Sequence, residues 1–388
     1  MTEENKSIKK FPNLGNIPKL RFSEFTEEWE ERYISEVISS KSKKYNPENS
    51  DSNYRSIELE SLSQDSGELL STFDSKNQKS IKNVFNSGDV LFGKLRPYLK
   101  KYYLADFDGV CSSEIWVLKS SILDSDYLYA FVQSNSFISL TEKSSGSKMP
   151  RADWNLVSSS LIVYPSNTNE RKKIGKTIQL INSRIQTQKK IISQLKSQMS
   201  NLKDLIFEQK LRFTDDKENE FPDWQESRLE DICEKQSSNI SANKIEDNMG
   251  DYPIYGATGI LKNIDFYEVE NDYISIIKDG AGVGRLLYCE GKSSVLGTLD
   301  IIQSKNINLY FIFLLLSRID FKKYITGSTI PHIYFKDYKK EKFQIPSIEE
   351  QEKIANFFKS LDEKINLETE LLTQYENQKK YLLQNLFV

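Results

Sequence analysis

Residues 174–206 read IGKTIQLINSRIQTQKKIISQLKSQMSNLKDLI, and this stretch decides the fold. Apolar side chains recur at Ile174, Ile178, Ile181, Ile185, Ile192, Leu195, Met199, Leu202 and Ile206, spaced alternately four and three apart and interrupted only by Gln188. Shifted by 180 positions, the same register returns as Ile354, Phe358, Leu361, Ile365, Leu372, Tyr375, Leu382 and Leu386. Glu368 stands where Gln188 stood, and Lys379 replaces Met199. A seven-residue apolar repeat of this length predicts a coiled-coil seam, because about 3.5 residues per turn keep one stripe facing a partner helix.

Both stretches read as unbroken helices. No proline occurs between Pro165 and Pro222 or after Pro346, and the one glycine within them is Gly175, near a start. Ser347 with Glu350, and more weakly Asn167 with Glu170, make capping-box patterns. Residues 170–212 carry eleven Lys/Arg against three Asp/Glu, whereas residues 349–388 carry five against eight. Opposite charge favours these helices packing on each other. In an antiparallel pair the two interruptions, Gln188 and Glu368, come close together as a polar layer.

The remaining composition narrows the function classes. At 388 residues the chain predicts two or more domains. With 38% hydrophobic and 28% charged residues it is a soluble globular type. The first seventeen residues are polar, and the longest apolar run, Leu309–Leu316, is far short of the ~20 residues a membrane span needs, so a cytoplasmic location without membrane contact is expected. Cys111, Cys233 and Cys289 are odd in number and widely spaced, which predicts buried thiols rather than disulfides or a zinc site. His332 is the single histidine, so catalysis is poorly supplied. A net charge of −3 is not that of a globally basic nucleic-acid binder, and local clusters must carry any such role.

In chain order, residues 1–17 read as a flexible lead and 18–166 as a first globular domain. The first long helix takes 167–209, a second globular domain 210–346, and the second helix 347–388. Leu20-Arg21-Phe22 with Phe25 and Trp29 is answered by Leu211-Arg212-Phe213 with Phe221 and Trp224. In the first domain Val84-Phe85, Val90-Leu91-Phe92 and residues 115–118 read as strands and 127–132 as a buried helix. In the second, residues 273–277 read as a strand and 309–316 as the matching buried helix. The expected fold class is α+β: two globular domains separated by two long helices that form an antiparallel intramolecular coiled coil, in a pseudo-two-fold repeat.

This organisation resembles the specificity subunit of type I restriction-modification systems. The matching residues are the Gly-Ser-x-x-Pro loops at 146–150 and 327–331, the stretch Gly88-Asp89-Val90-Leu91-Phe92-Gly93-Lys94-Leu95-Arg96-Pro97, and Tyr252-Pro253-Ile254-Tyr255-Gly256 with the glycine-rich run 277–284. The helix starts at 165–174 and 346–354 complete the match, which covers nearly everything after Pro18. The resemblance implies that each globular domain is a target-recognition domain reading half of a split, asymmetric sequence in double-stranded DNA. It also implies that the helices space the domains and dock two methyltransferase subunits, and that restriction/translocase subunits join. S-adenosylmethionine would sit on the methyltransferases, with no cofactor, metal or chemistry on this chain.

Candidate DNA contacts follow. In the first domain they are Lys94, Arg96, Tyr98, Lys100 and Lys101, which in a strand or hairpin present several cations on one side, joined by Ser147, Lys148 and Arg151 around the Gly-Ser loop. A solvated edge strand protected by lysine is the plainer alternative. In the second domain they are Lys278, Arg285, Ser328, Thr329 and His332, with Lys336 nearby. Because the two polar sets differ, different half-sites are expected.

Two other function classes compete. Asp279-Gly280-Ala281-Gly282-Val283-Gly284 follows an apolar strand as a nucleotide-binding loop does, but Leu286-Leu287-Tyr288-Cys289 reads as a second strand where a dinucleotide fingerprint requires a helix. A coiled-coil scaffold without a DNA role explains the helices and leaves the duplicated domains unexplained. The 33 residues of the first seam span roughly 50 Å at ~1.5 Å each, long enough to hold two domains one turn of B-DNA apart.

Overall fold

The computed structural model describes residues 8–10, 17–50, 52–143 and 149–388. The chain forms two compact units, Met1–Ile192 with Glu368–Val388, and Ser193–Leu367. Among the described residues no helix is long and apolar enough to cross a membrane.

In the first unit, Val90–Gly93 lies between Ile115–Leu118 and Tyr102–Leu104 in a three-stranded antiparallel sheet. Both faces of this sheet are covered, because side chains alternate along a strand. Val90, Phe92, Trp116 and Leu118 enter the main core, whereas Leu91, Ile115 and Val117 enter a second one with Phe85 and Cys111. That explains an apolar run without a polar face. Lys82–Phe85 belongs to a separate five-stranded sheet, so residues 86–89 carry the chain from one sheet to the other. Part of the expected lead, Ile8–Lys10, is a strand paired with Leu20–Phe22.

The second unit repeats the scheme. Tyr273–Ile277 lies between Leu286–Cys289 and Leu299–Ser304, with Cys233–Ser237 on the outer edge. Ile274, Ile276 and Ile302 face the helical core, and Tyr273, Ile277, Leu299 and Ile301 face another. The helix Leu309–Leu316 fills the slot taken by Ser125–Phe131 in the first unit. Cys111, Cys233 and Cys289 are free and buried, and burial pushes the Cys233 and Cys289 thiols up to about 12.

The heptad stretches lie in helices Thr168–Phe207 and Ile348–Asn385, with Leu386 just past the end of the second. In the first unit Ile174 and Ile178 share a core with Leu382 and Leu386, so early residues of one helix meet late residues of the other. Gln188 Nε2 donates to the Glu368 carbonyl at 3.0 Å and also to its carboxylate, which brings the two polar interruptions together. In the second unit Ile206 shares a core with Ile354 and Phe358.

One polar device occurs in both units and explains the repeated Leu-Arg-Phe and Trp. Arg21 makes a bidentate pair with Glu170, Nε to Oε1 at 2.7 Å and Nη2 to Oε2 at 2.8 Å, and Trp29 Nε1 donates to Oε1 at 3.3 Å. Arg212 and Trp224 do the same for Glu350, at 3.2, 2.8 and 3.0 Å. Both glutamates are 0% exposed, so each carboxylate needs these partners. The capping boxes are therefore only half made. Ser347 Oγ and Asn167 Oδ1 accept from the backbone N–H of Glu350 and Glu170, while the glutamate side chains turn away to the arginines.

Candidate nucleic-acid interface

The first candidate site begins where the strand Val90–Gly93 runs out. Lys94 N donates to Glu114 O at 2.9 Å, Ala152 N to Lys94 O at 2.8 Å, and Arg96 N to Pro150 O at 2.8 Å, which ties this turn to the end of the Gly-Ser loop. Arg96 is left-handed at φ 52°, the turn Pro97–Leu99 is 3-10 helical, and Lys100 is left-handed at φ 47°. The cations thus sit on the connection of the hairpin between Val90–Gly93 and Tyr102–Leu104, on a tight turn rather than alternating along a strand. A left-handed arginine is sterically costly and persists only where its surroundings impose it.

That turn sorts the candidates. Arg96 and half-exposed Tyr98 point outward. Arg151 is exposed and pairs through Nε with Glu114 Oε2 at 3.1 Å, in a bridge beside Leu95. Lys94 is partly exposed at the strand end. Lys100 leans toward Asp65 at 3.7 Å. Lys101 turns inward to the Leu59 carbonyl at 2.6 Å, and burial lowers its pKa. Ser147 and Lys148 lie outside the described residues.

The second unit builds the same backbone clasp. Lys278 N donates to Thr298 O at 3.0 Å, Ile333 N to Lys278 O at 3.0 Å, and Gly280 N to Pro331 O at 2.9 Å. An Asp279–His332 bridge takes the place of Leu95–Arg151. Lys94 thus corresponds to Lys278, Arg96 to Gly280 and Arg151 to His332. Lys278 does not reach outward: its Nζ meets buried Asp300 at 3.0 Å, and Lys235 approaches the same oxygen at 3.6 Å. Arg285 is exposed and donates to the Ala257 carbonyl at 3.1 Å. Ser328 and Thr329 are exposed, and the His332 ring packs on Tyr334 at 4.8 Å between centroids. The glycine-rich loop joins antiparallel strands Tyr273–Ile277 and Leu286–Cys289, with Gly284 N donating to Ile277 O at 2.8 Å, so no helix follows it.

A cleft of about 770 Å³ adjoins this clasp, lined by Lys235, Lys278, Asp300, Lys305, Tyr334 and Lys336. Sequence reasoning passed over Asp300. Its only signal is one carboxylate in the otherwise apolar run Leu299-Asp300-Ile301-Ile302. Register shows what it replaces, since Asp300 pairs with Ile276 as Trp116 pairs with Phe92.

Comparison with known proteins agrees with this duplication. The family described as "Type I restriction modification DNA specificity domain" matches residues 26–197 and again 222–377. The specificity subunit of the type I restriction enzyme EcoDI from Escherichia coli is 38% identical over 58 residues, 15% of this chain and 13% of that protein. A putative type I specificity subunit from Mycoplasma pneumoniae is 27% identical over 165 residues, 40% of this chain and 54% of that one. Matches to these curated relatives span from about an eighth to about half of their length. Among solved structures, the type I restriction-modification S subunit of M. genitalium superposes with a TM-score of 0.67 at 18% identity, covering 96% of this chain and 99% of that one. A chain from a structure of a type I R-M system, solved to explain its assembly and conformational transition, gives 0.54 at 18% identity over 92% and 96%. With both halves matched by the family and the fold shared along nearly the whole length, this chain belongs to the type I restriction-modification DNA specificity family.

Proposed function

We propose that the chain is a non-catalytic, cytoplasmic subunit that selects DNA sequence for a type I restriction-modification complex. Each domain reads one half of an asymmetric split target in double-stranded DNA. The two long helices form an antiparallel coiled coil within a pseudo-two-fold repeat and dock two methyltransferase subunits, which carry S-adenosylmethionine. Restriction/translocase subunits complete the assembly.

The observation that carries this reading is the clasp built twice on one backbone plan with two side-chain sets. Arg96, Tyr98 and Arg151 stand at one copy, and Arg285, Ser328, Thr329 and His332 at the other. Arginine supplies bidentate hydrogen bonds to base edges, and the tyrosine hydroxyl and lysines hold phosphates. An adenine flipped from the duplex would be methylated by the partner.

The test is to express the chain with its methyltransferase and map methylated adenines across a genome. A split motif that depends on this chain is expected. Methylation that is unchanged without the chain, given an assembled partner, would overturn the proposal.

A further inference from the structure

A cleft of about 490 Å³ opens in the first unit where the long-helix segments meet the recognition domain. Four lysines line it, Lys100, Lys189, Lys379 and Lys380, against the carboxylates of Asp65 and Glu376. Lys189 is paired with Glu376 at 3.0 Å and Lys100 lies 3.7 Å from Asp65. Lys379 and Lys380 have no carboxylate within ion-pair distance among the described residues.

Lys379 is the unusual member, because it occupies a heptad core position and is only 8% exposed. The first helix carries Met199 at the same position, so the seam itself requires no cation. One Lys379 N–H goes to Tyr102 OH at 3.0 Å, and that hydroxyl donates to Asp65 Oδ1 at 3.1 Å. An ammonium has three donors, and a buried one without a counter-charge is costly. Burial accordingly holds its pKa down at about 8.

A second group in the same cleft asks for a ligand. Asn182, 7% exposed, donates from Nδ2 to Gln133 Oε1 at 3.2 Å, and Gln133 in turn donates from Nε2 to Tyr129 O at 2.8 Å. The backbone carbonyl fixes which end of Gln133 accepts, and so fixes the Asn182 amide. Asn182 Oδ1 is then a buried acceptor with no partner among the described residues. Such an acceptor is satisfied by a hydroxyl donor, and adjacent unpaired lysines by a dianion.

We propose that this cleft binds a small phosphate monoester bearing a free hydroxyl, with the phosphate held by Lys379 and Lys380 and the hydroxyl donated to Asn182 Oδ1. The volume accommodates a molecule of up to mononucleotide size. The cleft shares Lys100 with the candidate DNA contacts, but the three groups assigned to the ligand, Lys379, Lys380 and Asn182, are not among them.

Glycerol 3-phosphate is the probe, titrated calorimetrically into the full chain, with methyl phosphate as the comparator lacking a hydroxyl. Saturable one-site binding is expected, with proton uptake around pH 8 because the bound anion favours the ammonium. Lys379→Met, which installs the residue of the sister helix, should weaken binding at least about tenfold, a change of ~1.4 kcal/mol. Lys380→Met should weaken it too, and serves if the first variant does not fold. Asn182→Ala should erase the preference for glycerol 3-phosphate over methyl phosphate. Absence of saturable binding, or binding as tight as that of the unsubstituted chain in both lysine variants, overturns the proposal. Displacement of the ligand by a short DNA duplex also overturns it, assigning these cations to the DNA backbone.

Discussion

The two recognition domains share a hydrogen-bonded frame and differ in what it holds. Each strand end is clasped by the same three backbone bonds, yet the neighbouring strand carries Trp116 in one unit and Asp300 in the other. Trp116 stacks on Phe92 and meets Trp154 edge-on, so the first domain closes this position with aromatic surface. Asp300 gathers Lys278, Lys235 and Ser237, so the second opens it into a polar cleft. Backbone bonds are insensitive to side-chain identity, which lets a duplicated frame persist while the groups facing a ligand diverge.

The frame is where the largest effects are expected. Glu170→Ala or Glu350→Ala strands an arginine and a buried tryptophan N–H, and should cost about 3–5 kcal/mol in denaturant unfolding of the affected unit. The arginines separate the two copies. Arg21 is 5% exposed and Arg212 21%, so Arg21→Ala should cost more than Arg212→Ala. Equal losses would mean the two copies are energetically alike despite this difference.

The helices offer the next comparison, Met199 against Lys379. Burial places the folded-state pKa of Lys379 near 8, below its ordinary 10.5, so the folded protein gives up this proton first. The unfolded chain binds more protons between those values, and stability therefore rises with pH through that window. Below pH 8 the full penalty is present, on the order of 3 kcal/mol. Lys379→Met should flatten this rise in urea melts taken from pH 7 to 10. A slope that survives the substitution would assign the effect to another group.

The outward side chains come third. Arg96→Ala should relax the half-site read by the first domain by about 1–3 kcal/mol if it reads a base edge, and Arg285→Ala the other half-site. Methyltransferase binding should stay intact in both. If Arg96 holds a phosphate instead, binding should weaken uniformly over sequences and its salt slope should fall by about 1. Equal loss of assembly and of methylation would remove Arg96 from the interface.

How much of this was legible in the sequence depended on whether the signal was local. The heptads were readable because a seam obeys one fixed period, and their polar interruptions meet as that period requires. Val90 to Phe92 and residues 273–277 were readable as strands because both faces are buried and the run is wholly apolar. The Arg–Glu–Trp device was visible only as repeated letters, since its members lie 149 and 141 residues apart in the first unit. For the same reason Glu170 and Glu350 looked like cap residues. Lys94 to Lys101 read as a strand or hairpin; it is the connection of a hairpin, and the left-handed residues that fold it into a turn are an arginine and a lysine, which signal no such conformation. Asp300 was hidden because the lysines that neutralise it come from two other strands, Lys235 in the middle of Cys233–Ser237 and Lys278 just past Tyr273–Ile277.

Arg96 and Gly280 hold the same place in the clasp with opposite backbone cost, and this yields the smallest and sharpest test. Both are left-handed, at φ 52° and +86°, and each N–H donates to the proline carbonyl of the facing loop. Glycine adopts that conformation freely, whereas an arginine there costs on the order of 1 kcal/mol. Arg96→Gly should therefore stabilise the first unit by up to about 1 kcal/mol while weakening sequence-dependent methylation, the pattern of a residue kept for contact rather than for folding. Gly280→Ala should destabilise the second unit by about as much through backbone strain alone, because a Cβ there meets nothing within 4 Å. Gly284 separates strain from crowding in the same loop. Its φ is +85°, but an added Cβ falls 2.7 Å from Phe321 Cβ, so Gly284→Ala should cost more than Gly280→Ala. Arg96→Gly that destabilises the first unit would show that the arginine side chain supports the turn itself, and the contact role would lose its energetic argument.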